Sequence, residues 1–244
     1  MVEILKKITK YSYIQNLYSE NYNNFNNKNF WDETLKILNI KYNAQGIQNI
    51  PSMGPTILVA NHPFGILDGL ILSSIVSNIR KDYKILINNE LSKIDHIKEY
   101  LYPLKFSTNK KDAVFNINSK NNSINHIMRG GCLITFPSGE VATSKFIFDE
   151  PKERKWKPLI GSIIKKSNPT IIPVKFFGKN SKFFQFTGFI NNNLRRALFI
   201  RELLNKKNEI FKVIINKPIR EFRTKDLTNE EISENLKNIV LSIN

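Results

Sequence analysis

The sequence predicts an α/β fold: a largely parallel central sheet flanked by helices and preceded by amphipathic helices at the N-terminus. From Tyr42 onward, short runs rich in Ile, Val and Phe alternate with longer stretches of helical period, the pattern of successive βα units. The 244 residues suffice for one sizeable core, and no linker or internal repeat interrupts them. A single domain over residues 1–244 is therefore expected, with residues 1–40 as an N-terminal helical membrane-interface segment within it. A hydrophobic share of 41% beside 24% charged residues excludes both a disordered chain and a rod.

At the N-terminus, Leu5, Ile8, Tyr11 and Ile14 recur at three-residue steps with Ile4 and Leu17 alongside, which predicts an amphipathic basic helix over 2–17. The Asn-rich stretch Asn21–Asn29 reads as a loop. A second amphipathic segment, Phe30–Leu38, carries Trp31. This pair of segments fits two placements: helices packed on the core, or a membrane-interface element with Phe30 and Trp31 at headgroup level.

Five strands are predicted, at 56–60, 83–87, 132–136, 170–174 and 211–215. Helices are expected between them at Asp68–Ile79, Asp95–Leu101, Ile124–Arg129, Lys157–Lys166 and Asn192–Leu204. A last helix starts at Thr228, an N-cap with Glu231 three residues on, and Ile232, Leu236, Ile239 and Val240 form its apolar face. The aromatic run Phe176–Phe189 reads as a strand with alternating rings, either core or the wall of an apolar groove.

Lys and Arg number 37 against 21 Asp and Glu, a formal charge of +16. Such an excess suits a polyanionic partner: nucleic acid, anionic lipid or an acidic carrier protein. Heavy use of Lys, Asn and Ile is the imprint of an AT-rich genome and accounts for part of it. The single Cys132 allows no internal disulfide, and Lys residues break the first apolar positions, so a cytoplasmic setting without a secretory leader is expected. The most apolar region, Thr56–Val76, holds Asn61, His62 and Asp68 at its centre, which argues against a transmembrane helix.

Chemistry concentrates where the strand at 56–60 runs into Asn61-His62-Pro63-Phe64-Gly65-Ile66-Leu67-Asp68-Gly69. Loops after strand C-termini are where sites assemble in open α/β sheets. Residues six apart stand about 240° apart on a helix. His62 and Asp68 therefore meet only across a turn, which Pro63 and Gly65 supply. A carboxylate on one imidazole nitrogen leaves the other free as a base. A second loop, Phe136-Pro137-Ser138-Gly139-Glu140-Val141, also follows a buried strand. The other histidines, His96 and His126, sit in polar helical contexts, and Cys132 lies mid-strand as a core residue.

Taken together and in this order, the two loops resemble the glycerophospholipid acyltransferase superfamily, and within it the hemolysin-like, lyso-ornithine-lipid O-acyltransferase branch. The resemblance extends through Gly46, Pro55-Thr56-Ile57, Trp156-Lys157, Ile172-Pro173-Val174, Gly178-Lys179-Asn180-Ser181 and Arg201-Glu202-Leu203-Leu204. It implies an acyltransferase-type fold, His62 as general base and Asp68 as its orienting partner. Substrate contacts are implied at Asn61, Phe64, Gly65, Lys105, Phe136, Pro137, Ser138, Gly139 and Glu140, with backbone donors near Gly139 at the oxyanion.

No metal and no cofactor are implied, the co-substrate being acyl-carrier protein or coenzyme A charged with a fatty acid. The remaining partners are a lysolipid acceptor and an anionic membrane surface, on the inner face of the cell membrane. Where members that act on glycerol phosphates carry a phosphate-binding Arg, this chain has Val141, and the upstream segment offers Lys105, Lys110 and Lys111 but no Arg. The acceptor is thus expected to be a lyso-ornithine-type aminolipid, its amine beside Glu140, with lysophosphatidic acid as the alternative. Competing expectations are an acyl hydrolase or lipid binder on the same fold and a basic nucleic-acid-binding protein. The latter finds no zinc spacing, RNP-like motif or Arg-rich arm to support it.

Overall fold

The computed structural model describes residues 9–105, 109–144, 146, 149–190, 195 and 197–244. Among these, the strands are β1 (Lys41–Gln45), β2 (Thr56–Ala60), β3 (Tyr83–Asn88), β4 (Leu101–Leu104), β5 (Cys132–Thr135), β6 (Thr170–Phe177) and β7 (Ile210–Ile215). The helices are α1 (Tyr11–Glu20), α2 (Phe30–Ile37), α3 (Ile66–Ser77), α4 (Lys110–Met128), α5 (Pro158–Ser167), α6 (Lys182–Ile190), α7 (Phe199–Asn205) and α8 (Asn229–Leu241). The strands form one sheet in the order β1-β7-β6-β2-β5-β3-β4. All neighbours run parallel except β6 and β7.

The central strands β2 and β5 are buried at every residue, as continuous apolar runs are when helices cover both faces of a sheet. Alternation along β2 sorts its side chains into two layers. Leu58 and Ala60 join the cluster that holds Phe30, Trp31, Ile71 and Leu203, from α2, α3 and α7. Ile57 and Val59 join Ile127, Ile160, Ile164, Ile232 and Leu236, from α4, α5 and α8. The cap foreseen on α8 is present: Thr228 Oγ1 accepts from the Glu231 N–H (3.2 Å) and Glu231 Oε2 from the Thr228 N–H (2.7 Å).

Several expectations need correction. Phe30 and Trp31 are only 5% and 4% exposed, and the indole N–H donates to Tyr83 Oη at 2.6 Å. The amphipathy of 30–38 therefore serves the core, and these rings are not at headgroup level. The helix expected over 2–17 is seen as α1, residues 1–8 lying outside the described residues. The aromatic run 176–189 is not one strand but the end of β6 followed by α6. Gly178 turns the chain between them at φ +131, where a Cβ would stand 2.3 Å from Phe64 Cζ.

The segment 95–101 is a 3-10 turn (Asp95–Tyr100) leading into β4, and 124–129 is only the last part of α4, whose polar opening turns hide the helical period. Of the helix expected at 192–204, α7 is seen, residues 191–194 and 196 lying outside the described residues. The edge strands β1 and β4 had no apolar run to announce them: Lys-Tyr-Asn-Ala-Gln alternates exposed with half-buried, and β4 contains Pro103.

The two remaining histidines serve packing. His96 is ringed by Tyr18, Tyr22, Phe25 and Phe30, with Nδ1 2.9 Å from Tyr18 Oη. His126 Nε2 donates to the Cys132 carbonyl at 3.1 Å, and burial pushes its pKa below the ordinary 6.5. The native state thus resists a proton that the unfolded chain accepts. The stability from His126 is full above 6.5 and is lost as the pH falls through the lower folded value. His126→Gln, which keeps a donor for Cys132, is expected to flatten the acid side of the stability profile. Urea midpoints measured across that range test it, and an unchanged slope refutes it.

Candidate active site

β2 ends at Ala60 on the carboxyl edge of the sheet. The next residue, Asn61, uses its side-chain amide as one more rung: Nδ2 donates to the Phe176 carbonyl (2.9 Å) and Oδ1 accepts from the Phe176 N–H (2.7 Å). The backbone is thereby released into a loop. Gly65, at φ +87, closes the turn, and a Cβ there would lie 2.9 Å from the Phe199 ring and 3.1 Å from Val141 Cγ1. The turn brings Asp68, in the first turn of α3, beneath His62.

Asp68 is wholly buried, and its Oδ2 accepts three N–H groups: His62 Nδ1, Phe64 N and Gly65 N, each at 2.9 Å. Burial pushes the carboxyl pKa up, while His62 and the two backbone donors pull it down without cancelling the rise. The His62 side chain is 18% exposed, and its Nε2 has no hydrogen-bond partner among the described residues. With Nδ1–H donated to Asp68, Nε2 carries a lone pair, so the pair can take a proton from a hydroxyl brought to that nitrogen.

The second loop lies beside the first because β5 pairs with β2, Val59 opposite Thr135. Phe136 stacks on the His62 imidazole with centroids 4.4 Å apart. Pro137 accepts the Lys157 N–H on its carbonyl (2.9 Å). Ser138 is fully buried and its hydroxyl donates to the Glu140 carbonyl (2.8 Å). Gly139 takes φ +65, and its N–H already donates to the Phe136 carbonyl (3.0 Å), which commits that donor to the turn. Glu140 is half exposed, with its carboxylate 3.7 Å from Arg154 Nε. Val141 is buried in an apolar cluster with Phe184 and Leu198.

Sequence reasoning missed Glu153. Its Oε2 accepts the His62 backbone N–H and its Oε1 the Trp156 indole N–H, both at 3.0 Å. Burial raises its pKa, against the opposing pull of the His62 N–H, the Trp156 indole and the Ser138 hydroxyl. One carboxylate thus ties the His62 loop to the segment carrying Trp156, whose next residue, Lys157, donates its N–H to Pro137 of the second loop. The only hint in the sequence was the Trp156-Lys157 block three residues on.

The other site residues fall into two groups. Asn61 is engaged at both ends of its amide, as above. Phe64 turns inward, edge-on to Phe211 at 5.1 Å, with its carbonyl accepting from Asn180 Nδ2 (3.3 Å). The Asn180 loop is itself anchored by buried Glu202, which accepts the Ser181 N–H (2.9 Å) and hydroxyl (2.6 Å) and lies 3.6 Å from buried Lys206. Lys105, by contrast, is not brought to His62. It follows β4, three strands from β2 or about 14 Å at ordinary strand spacing. Its ammonium is 3.2 Å from Asp112 and sits over the Phe115 ring.

Comparison with known proteins bears on the family and the fold. Lyso-glycine lipid O-acyltransferases of Phocaeicola vulgatus and Bacteroides thetaiotaomicron are each 26% identical to this chain. The first aligns over 78% of this chain and 68% of its own length, the second over 100% and 89%. The crystal structure of the 1-acyl-sn-glycerophosphate acyltransferase PlsC from Thermotoga maritima superposes with a TM-score of 0.56 at 19% identity, over 88% of this chain and 75% of that one, and so shares the fold. The acyltransferase family model matches residues 4–229. With that match spanning nearly its whole length, the chain belongs to the acyltransferase family and is an acyltransferase enzyme.

Proposed function

We propose that the protein is an O-acyltransferase that moves a fatty acyl group from a thioester of acyl carrier protein or coenzyme A to the hydroxyl of a lysolipid whose head group is an amino acid. The observation that carries the reading is the His62 Nδ1–Asp68 Oδ2 contact of 2.9 Å at a sheet edge, with Nε2 unpartnered among the described residues. His62 Nε2 takes the proton from the acceptor hydroxyl as its oxygen attacks the thioester carbonyl. A C–O bond forms, the C–S bond then breaks, and the proton passes to the departing thiolate. Asp68 fixes the tautomer and stabilises the imidazolium. The chemistry needs neither a metal nor an acyl-enzyme.

The acceptor class rests on two features. Val141 is packed against Phe184 and Leu198 and offers no cation to a phosphate, and Lys105 is engaged elsewhere. The half-exposed Glu140–Arg154 pair presents both signs of charge beside the loop, which suits the carboxylate and nitrogen of an amino-acid head group. The names of the two relatives favour a glycine lipid over an ornithine lipid.

Purified enzyme given an acyl thioester with a lyso-amino-acid lipid and lysophosphatidic acid in competition is expected to prefer the former by about tenfold or more, a difference of about 1.4 kcal/mol. Preference for lysophosphatidic acid overturns the acceptor assignment. Free fatty acid released in place of esterified product overturns the transferase reading itself.

A further inference from the structure

Helix α6 turns one ring inward and two outward: Phe184 is buried with Val141 and Leu198, while Phe183 and Phe186 face solvent. Gln185 and Thr187 are 6% and 3% exposed, whereas Phe183 and Phe186, about one turn apart, are 47% and 42% exposed. Phe146 is more exposed still, at 70%. It lies two residues beyond Ser144, whose N–H donates to Gln185 Oε1 (3.2 Å), in the segment that α6 packs against. The inward polar residues have a purpose, since Gln185 Nε2 also donates to the Ala142 carbonyl (3.2 Å). Folding alone gives the outward rings none, because phenylalanine exposed to water gains nothing by it.

The surroundings of the rings identify what covers them. The Arg201 guanidinium lies over the Phe183 ring at 4.8 Å, and Lys182 is exposed at the start of the same helix. Cations interleaved with rings complement an apolar layer bounded by anions, which is the chemistry of an anionic bilayer surface. The region also adjoins the reacting group. The Ala142 N–H donates to the His62 carbonyl at 2.9 Å, so Gln185 on α6 is linked to the His62 loop through a single residue.

We propose that the aromatic face of α6, Phe183 and Phe186, inserts into an anionic lipid bilayer and seats the mouth of the His62 site on the membrane. This deepens the acyltransfer reading above, since the lysolipid would then reach His62 from the bilayer without crossing water. With Phe30 and Trp31 buried, this face replaces them as the aromatic anchor.

The experiment uses vesicles of phosphatidylglycerol and phosphatidylcholine in equal parts, sedimented with the full chain. The double variant Phe183→Ser/Phe186→Ser is expected to bind about tenfold or more weakly while keeping its thermal midpoint and its turnover of a monomeric short-chain lysolipid. A Phe186→Trp variant is expected to gain blue-shifted emission on vesicle addition, above the buried background of Trp31 and Trp156, and to be quenched by bromine-labelled acyl chains. Unchanged sedimentation of the double variant, or emission from the Phe186→Trp variant that ignores vesicles, overturns the proposal, and dimer formation through this face with no lipid response does the same. Failure of the acyltransfer reading is separate: vesicle binding would fall in the double variant, yet the parent chain would transfer acyl groups to no lysolipid.

Discussion

His62→Ala is expected to reduce acyl transfer about a thousandfold or more, within the range that a positioned general base contributes. The fold should survive, because the imidazole is partly exposed and its ring rests on Phe136 at the surface of the site rather than within either core layer. Circular dichroism and the thermal midpoint check that point separately. Asp68→Asn tests the partner: the amide retains the shape but removes the charge that orients Nδ1–H and stabilises the imidazolium. Its effect on turnover is expected to be equal to or smaller than that of His62→Ala, because orientation is the lesser role. Near-normal turnover in the His62→Ala protein would mean that another group takes the proton, and the mechanism proposed above would fall with it.

Glu153→Ala is the second large effect, and it appears in stability as well as rate. Removal of the carboxylate leaves the His62 N–H and the Trp156 indole N–H without their acceptor, and Trp156 is 1% exposed. An orphaned buried donor costs about 1–3 kcal/mol, so a loss of about 3 kcal/mol is expected in urea unfolding. Turnover should also fall, because the His62 backbone loses the contact that ties it to the segment carrying Trp156. Glu153→Gln keeps one acceptor oxygen but turns an NH2 toward the other donor, so it should fall between the parent and the alanine variant. A Glu153→Ala protein with an unshifted urea midpoint would show that the two N–H groups find water, and the tie between the His62 loop and the Trp156 segment would then count for little.

Much of this site could be read from the sequence because its parts are local. His62 and Asp68 are six residues apart, and a Pro and a Gly between them demanded a turn. Apolar runs at 56–60 and 132–136 marked two buried strands, and each ran into a polar loop. That β2 and β5 are neighbours is shown by the register and by no pattern in the sequence.

What escaped notice depended on contacts distant in sequence. Glu153 reaches His62 across 91 residues of chain, and no spacing rule sees that. The edge strands β1 and β4 escaped because an edge needs little apolar sequence. The aromatic stretch after β6 misled because rings on both faces of a short helix mimic the alternation of a strand. Only the buried Gln185 and Thr187 distinguish the two, and they are polar, which sequence reading takes as outward. Trp31 was ambiguous for the converse reason: amphipathy is the same whether the apolar face meets a core or a lipid.

The Asn61 side chain has a consequence for how the loop moves. Because the Phe176 N–H is held by a side-chain oxygen at the root of the His62 loop and not by a strand partner, its exchange with solvent is governed by the opening of that loop. The neighbouring amides of β6, paired with β2 and β7, are governed by the sheet. Phe176 is therefore a built-in hydrogen-exchange reporter. Its protection factor, set against that of Val174, measures in free-energy terms how often the loop departs from its working shape while the rest of the protein stays folded.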